Sequence, residues 1–142
     1  MMAQAIAYLA FNGNCTEAMR FYEGVLGLGA NLEMMMSGGE SPMAAHIPAE
    51  HADRILHARL RFEDGSYIYA GDCPPQMPYE GIKGVTLTMS YPTTAEAERV
   101  FATLSESGNV TMPLGPMFWA KCAGMLVDKF GTAWAINGEV LI

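Results

Sequence analysis

The feature that most constrains this chain is that it repeats itself. The segment Asn14-Cys15-Thr16-Glu17-Ala18-Met19-Arg20-Phe21-Tyr22 returns 79 positions later as Thr93-Thr94-Ala95-Glu96-Ala97-Glu98-Arg99-Val100-Phe101. Each copy opens with a capping residue followed three positions on by Glu, the signature of a helix start. Apolar residues then follow at helical spacing: Ala18, Phe21, Tyr22, Val25 and Leu26 in one copy, Ala97, Val100, Phe101 and Leu104 in the other. Gly27 and Gly108 supply the stops.

A strand-like run precedes each helix, Ile6 to Phe11 and Val85 to Ser90. Three more follow the first helix: Leu32 to Met36, Ile55 to Phe62 and Tyr67 to Asp72. After the second come Val110 to Met112, Trp119 to Val127 and Ala133 to Asn137. The last hairpins correspond at an offset of 66, Gly65-Ser66 matching Gly131-Thr132, so the first copy carries 13 extra residues, placed in the Gly-, Pro- and His-containing loop from Ser37 to Arg54. The expectation is an α+β chain of two βαβββ modules, 1–78 and 79–142, within one domain of 142 residues.

Composition narrows the partners. Eight Lys and Arg against 15 Asp and Glu give a net charge of −7, which argues against nucleic acid or an anionic membrane surface. At 51% hydrophobic and 16% charged residues the chain can bury a core. Met1-Met2-Ala3-Gln4 carries no basic leader region and no apolar run has the length of a span, so a cytoplasmic protein without membrane contact is expected. Cys15, Cys73 and Cys122 are odd in number and widely spaced, which points to free thiols. Twelve methionines are an excess; Met34, Met35, Met36 and Met43 cluster after the first helix, and Met112, Met117 and Met125 occupy the corresponding region of the second copy. Such side chains serve as core filling or as an adaptable apolar binding wall.

The order Tyr8-Leu9-Ala10-Phe11-Asn12-Gly13-Asn14, Glu17-Ala18, Phe21-Tyr22, His57-Ala58, Asp72, Phe118-Trp119, Gly124, Asp128-Lys129-Phe130-Gly131 and Trp134 resembles the vicinal oxygen chelate superfamily of glyoxalases, bleomycin-resistance proteins and extradiol dioxygenases, and within it the PhnB-like branch. The resemblance implies two modules whose antiparallel sheets curve into a cup, a homodimer, and a small-molecule site on the concave face. It also places the metal ligands of the superfamily's enzymes near Ala7, Ala70, Val85 or Thr86, and Ala135, where no side chain beyond the Thr86 hydroxyl could coordinate. No metal or other cofactor is therefore expected. PhnB-like proteins are sometimes labelled demethylubiquinone methyltransferases; here Gly27-Leu28-Gly29 follows a helix instead of a strand, which argues against a nucleotide-type cofactor loop.

Asp64-Gly65 is the strongest two-residue hairpin signal in the chain. A tight turn there sets Phe62 opposite Tyr67, Arg59 opposite Ala70 and His57 opposite Asp72. Leu56, Ala58, Leu60, Phe62, Tyr67 and Tyr69 would then face the helix, and His57, Arg59, Arg61, Ile68, Ala70 and Asp72 the cup. On this reading His57 and Asp72 are candidate general base and orienting carboxylate. Arg59 and Arg61 are candidates to hold an anionic or enolate-like ligand, or are solvated sheet residues. Phe118, Trp119 and Met43 are candidate ligand contacts, with core packing the alternative for one of the two aromatics; Trp134 is expected to pack on the second helix. The function expected is binding of a small organic molecule, with or without metal-independent proton transfer. The alternatives are a metal-dependent lyase, isomerase or dioxygenase in which His57, Asp72 or Glu139 take over coordination, a purely sequestering protein of the resistance type, or an inert relic of duplication.

Overall fold

The structure is a computed structural model that describes residues 3–142; the reading of Met1 and Met2 as lacking a leader lies outside the described residues. Two compact units divide between Gly81 and Ile82.

Unit 1 runs β1 (Tyr8–Phe11), α1 (Cys15–Val25), β2 (Asn31–Ser37), β3 (Ile55–Arg61) and β4 (Tyr67–Asp72), with two single 3-10 turns, Ala44–His46 and Ala49–His51, in the long loop. Unit 2 repeats the order with β5 (Thr86–Tyr91), α2 (Thr94–Ser105), β6 (Asn109–Met117), β7 (Ala120–Val127) and β8 (Ala133–Val140). The sheets are ordered β1-β4-β3-β2 and β5-β8-β7-β6. The expected antiparallel sheets are corrected to mixed ones: β1 lies parallel to β4, and β5 parallel to β8. The helix after each first strand acts as a crossover, returning the chain so that the last strand can pair with the first in the same direction.

The helical stripes are buried as the spacing predicts except at Phe21, which is only half-buried. Ala18, Tyr22 and Leu26 pack with Met19, which the pattern did not single out, against Leu9, Phe11, Ala58, Leu60, Ile68 and Ala70. In unit 2, Ala97, Val100, Phe101 and Leu104 do the same with Leu126, Trp134 and Ile136. Truncating a fully buried side chain such as Leu60 or Leu104 costs roughly 2–5 kcal/mol. The helix starts differ. Thr93 caps α2 as expected, its Oγ1 accepting the Glu96 amide at 3.2 Å. Asn14 makes no cap bond to α1; its Oδ1 instead accepts the Asn12 amide at 3.3 Å.

The hairpin between β3 and β4 corrects the expected register. Arg61 pairs with Tyr67, Leu60 with Ile68, Arg59 with Tyr69 and Ala58 with Ala70. The Gly65 amide donates to Phe62 O at 2.9 Å, the Phe62 amide to Ser66 O at 2.9 Å, and only Gly65 of the loop has a positive φ, of 90°. This is a three-residue loop ending in a glycine bulge, where a two-residue turn would need positive φ at Asp64 as well. The β7–β8 hairpin has the same form: Gly131 has φ 92° and donates to Asp128 O at 3.0 Å. One residue of slip moves the whole of β4 to the other side. Ile68 and Ala70 face α1, and Tyr67 and Tyr69 share the opposite face with His57, Arg59 and Arg61. A second irregularity, between Met36↔His57 and Ser37↔Ile55, turns Ile55 inward and leaves Leu56 38% exposed, so Leu56 does not pack on the helix.

Candidate functional site

The helix-free face of unit 1 is built across all four strands. Tyr8 pairs with Tyr69, Tyr69 with Arg59 and Arg59 with Met34, while Met36 lies opposite His57. Directly opposed residues project to the same side, so these side chains form one surface. Tyr8 reaches over β4 because the strand carries Gly71 there. A Cβ at Gly71 would lie 2.8 Å from the Tyr8 hydroxyl and 3.0 Å from Leu56 O. Tyr8 thereby donates to Leu56 O at 3.0 Å and stacks on His57 at 5.7 Å between centroids, while Tyr69 meets the His57 ring edge-on at 5.0 Å.

These contacts fix the state of His57. Arg59 Nε, which can only donate, lies 3.1 Å from His57 Nε2. Nε2 is therefore the acceptor and Nδ1 carries the proton, aimed at the Tyr8 hydroxyl oxygen 3.3 Å away. Burial and the Arg59 charge both hold the imidazole below its ordinary pKa. His57 is thus a neutral ring with both nitrogens engaged.

Asp72 is not its partner. Its Oδ1 accepts the amides of Gly13 at 2.8 Å and Cys15 at 3.1 Å, and its Oδ2 that of Ile55 at 2.8 Å. The predicted His57–Asp72 pairing is corrected accordingly: the carboxylate caps α1 from the end of β4, the task expected of Asn14. Unit 2 uses the same device, Glu139 Oε2 accepting the Thr94 amide at 3.1 Å while Oε1 pairs with Lys121 Nζ at 2.9 Å. These contacts hold the Glu139 carboxyl below the usual carboxylate range, Lys121 contributing most.

The helix-free face of unit 2 contains a concavity of about 230 Å³. Its floor is small, Ala123, Gly124 and Ala135; Met112, Met125 and Trp119 form its walls; Thr88 and Asn137 add polar atoms. Gly124 is required there by packing on the other side, where a Cβ would lie 2.7 Å from the Phe101 ring and 2.9 Å from Leu114 Cα. Trp119 Nε1 donates to Asn137 Oδ1 at 3.1 Å, and Asn137 Nδ2 to Ser90 Oγ at 3.3 Å, so the indole is held against the rim.

With two βαβββ units and their helix-free faces in view, comparison with known proteins is decisive. The model of the glyoxalase/bleomycin resistance protein/dioxygenase superfamily matches residues 5–136. The chain belongs to that superfamily. It is 35% identical to protein YjdN of Escherichia coli over 138 residues, covering 92% of this chain and 91% of that one. Among solved structures it is similar to protein PA1353 from Pseudomonas aeruginosa, with 46% identity, a TM-score of 0.87 and coverage of 97% and 98% of the two chains. The expected PhnB-like branch has its counterpart in a Bacillus cereus PhnB protein, named a putative 3-demethylubiquinone-9 3-methyltransferase, 24% identical with a TM-score of 0.79 over 96% and 99% of the chains, which shares the fold.

The metal positions implied by superfamily resemblance do not fit a metal in this member. Ala70 is buried on the helix side of β4, and its neighbours on the other side are Tyr69 and Gly71. Ala7 lies just before β1, Val85 and Thr86 are exposed at the start of β5, and Ala135 faces Thr88 in the unit 2 concavity, so a threonine hydroxyl is the best donor these positions offer. Among the described residues no three His, Cys, Asp or Glu side chains converge to hold an ion. Of the substitute ligands, the Asp72 carboxylate is taken by backbone amides and that of Glu139 by the Thr94 amide and Lys121.

The remaining expected site residues separate. Arg61 is exposed, beside the Tyr67 hydroxyl. Phe118 is 79% exposed and meets Trp119 edge-on at 4.9 Å. Met43 is 57% exposed in the long loop of unit 1. Trp134 is fully buried, its indole N–H donating to Asp128 at 2.8 Å. Sequence reasoning missed Tyr8, Tyr69, Thr88 and Asn137. For Tyr69 the signal was present but inverted by the hairpin register; Thr88 alternates with half-buried Leu87 and Met89 along β5, and Asn137 with buried Ile136 and Gly138 along β8, and both could have been found by that alternation.

Proposed function

We propose that this chain binds a small, largely apolar organic molecule in the unit 2 concavity, and does so without a metal. The observation that carries the reading is the concavity itself: a floor of two alanines and a glycine, two polarisable methionines and a Trp119 indole fixed by Asn137. Its volume of about 230 Å³ lies below the roughly 300–1,000 Å³ of drug-sized ligand sites, so a molecule no larger than a single or fused aromatic ring is the match. The polar atoms of Thr88 and Asn137 would orient it.

Proton transfer by His57 is a weaker reading, because Nε2 is occupied by the Arg59 N–H and would have to be vacated before it could accept a proton. We propose no methyltransferase activity for this chain. Gly27, Leu28 and Gly29 all have positive φ and form the turn from α1 to β2, with no strand before them to build a cofactor loop. Homodimerisation, which the resemblance implies, is checked by sedimentation velocity; the mass of a single 15.4 kDa chain would count against it.

The binding test is titration with 2-naphthol in the wild type and in Ala135→Phe, which fills the floor. Saturable quenching of Trp119 that disappears in Ala135→Phe, with unchanged circular dichroism, is the expected result. Quenching that persists in the filled variant, or none at all in the wild type, sinks the proposal.

A further inference from the structure

Arg59 stands out from the other cations of the chain. It is half-buried in the middle of the unit 1 sheet, between Met34 on β2 and Tyr69 on β4. Its guanidinium carbon lies 5.8 Å from the centroid of the Tyr69 ring, and its Nε N–H is spent on His57. Among the described residues it forms no ion pair, although the chain holds 15 acidic residues to eight basic ones. The rings on this face are Tyr8, His57, Tyr67 and Tyr69, with centroids 5.0 to 6.4 Å apart, and Arg61 and Glu33 meet the Tyr67 hydroxyl at its edge.

A guanidinium partly withdrawn from water with no counter-charge has lost solvation that one hydrogen bond to His57 and the Tyr69 ring return only in part. The bond to His57 uses the Nε side and fixes the plane of the group, leaving the two Nη nitrogens as a parallel pair of donors. Such a pair matches the two oxygens of a carboxylate. The ring edges and faces around it suit a planar apolar group at the spacing aromatic pairs prefer. The neutral state of His57 keeps a further positive charge off the ring cluster; the other cation of this face, Arg61, lies exposed beside the Tyr67 hydroxyl, which Glu33 also meets, so Arg59 is the cation left among the rings to meet a ligand's charge.

We infer that the helix-free face of unit 1 is a binding site for an aromatic monocarboxylate, its carboxylate on the Nη pair of Arg59 and its ring among Tyr8, His57 and Tyr69. This goes beyond the apolar concavity of unit 2 and stands independently of it, since it uses none of the same residues.

Benzoate and its neutral isostere benzamide are the probes, followed by NMR on the His57 ring and Arg59 Nε–H signals. Benzoate is expected to shift both signals saturably and to bind at least about tenfold more tightly than benzamide, as loss of one charge-assisted bond implies. Arg59→Gln should erase the preference, and Arg59→Lys should restore part of it, with folding verified by circular dichroism. Equal binding of the two probes overturns the inference, as does a preference that survives Arg59→Gln or the absence of saturable shifts at millimolar benzoate. Shifts confined to Trp119 would also overturn it while supporting the unit 2 site, so the two readings fail separately.

Discussion

Replacing Asp72 by Ala tests the assignment of that carboxylate to the start of α1. The change removes the acceptor for three amides, those of Gly13, Cys15 and Ile55. Gly13 is exposed and water can take over its N–H, whereas Cys15 and Ile55 belong to buried residues. Two buried donors left without partners cost about 1–2 kcal/mol each, so the expected loss is about 2–4 kcal/mol. With a urea dependence of about 2 kcal/mol per molar for a chain of this size, the unfolding midpoint should fall by roughly 1–2 M. Urea unfolding followed by circular dichroism reads this directly. Asp72→Asn supplies the control that separates capping from catalysis. If the side chain caps the helix, His57 titrates at the same pH in Asp72→Asn as in the wild type; if the two formed a catalytic pair, removing the charge would move it visibly by NMR. A loss below about 0.5 kcal/mol in Asp72→Ala, the level of an ordinary surface change, or a displaced His57 titration in Asp72→Asn, would refute the reasoning.

Three further outcomes are expected. The folded state holds His57 below its unfolded pKa, so the unfolded chain binds more protons as pH falls through that range and stability should decline from pH 7 towards 5; the groups facing the ring are Tyr8, Arg59, Tyr69 and Met36, and His57→Gln should show a shallower decline in parallel thermal melts. Burial, followed by the Asp72 charge, pushes the Cys15 thiol up to about 12, and Cys122 is also buried and raised, so iodoacetamide at pH 8 should label Cys73 first, as peptide mass mapping will report. Gly71→Ala should displace the Tyr8 ring and cost about 1–3 kcal/mol, visible as a changed Tyr8 and His57 environment by NMR and a lower urea midpoint.

The sequence made the modules readable because helix stripes and strand alternation are local patterns, and both depend on burial of one face. Tyr67–Asp72 was found at its observed limits, and Ala97, Val100, Phe101 and Leu104 are buried as their spacing requires. What was not readable is how strands face each other. Asp64-Gly65 is compatible with a two-residue and a three-residue hairpin loop, and the choice rests on the backbone of Asp64, which no residue pattern specifies. One residue of slip was enough to exchange Tyr69 for Ala70 on the helix-free face and to separate Asp72 from His57. The cap of α1 was misread for a related reason. Asn14 looks like a cap because caps are usually local, but the acceptor comes from the far end of the module.

That remote cap has a kinetic meaning. The amide of Cys15 waits for a carboxylate 57 residues further along the chain, and that of Thr94 for one 45 residues on. In each unit the first turn of the helix is therefore completed only when the last strand has docked beside the first. Closing so long a loop is slow relative to forming a helical turn, so the starts of both helices should be among the late events of folding. Duplication has thus copied more than a shape: each half carries its own closing step, in which the end of the module fastens its beginning.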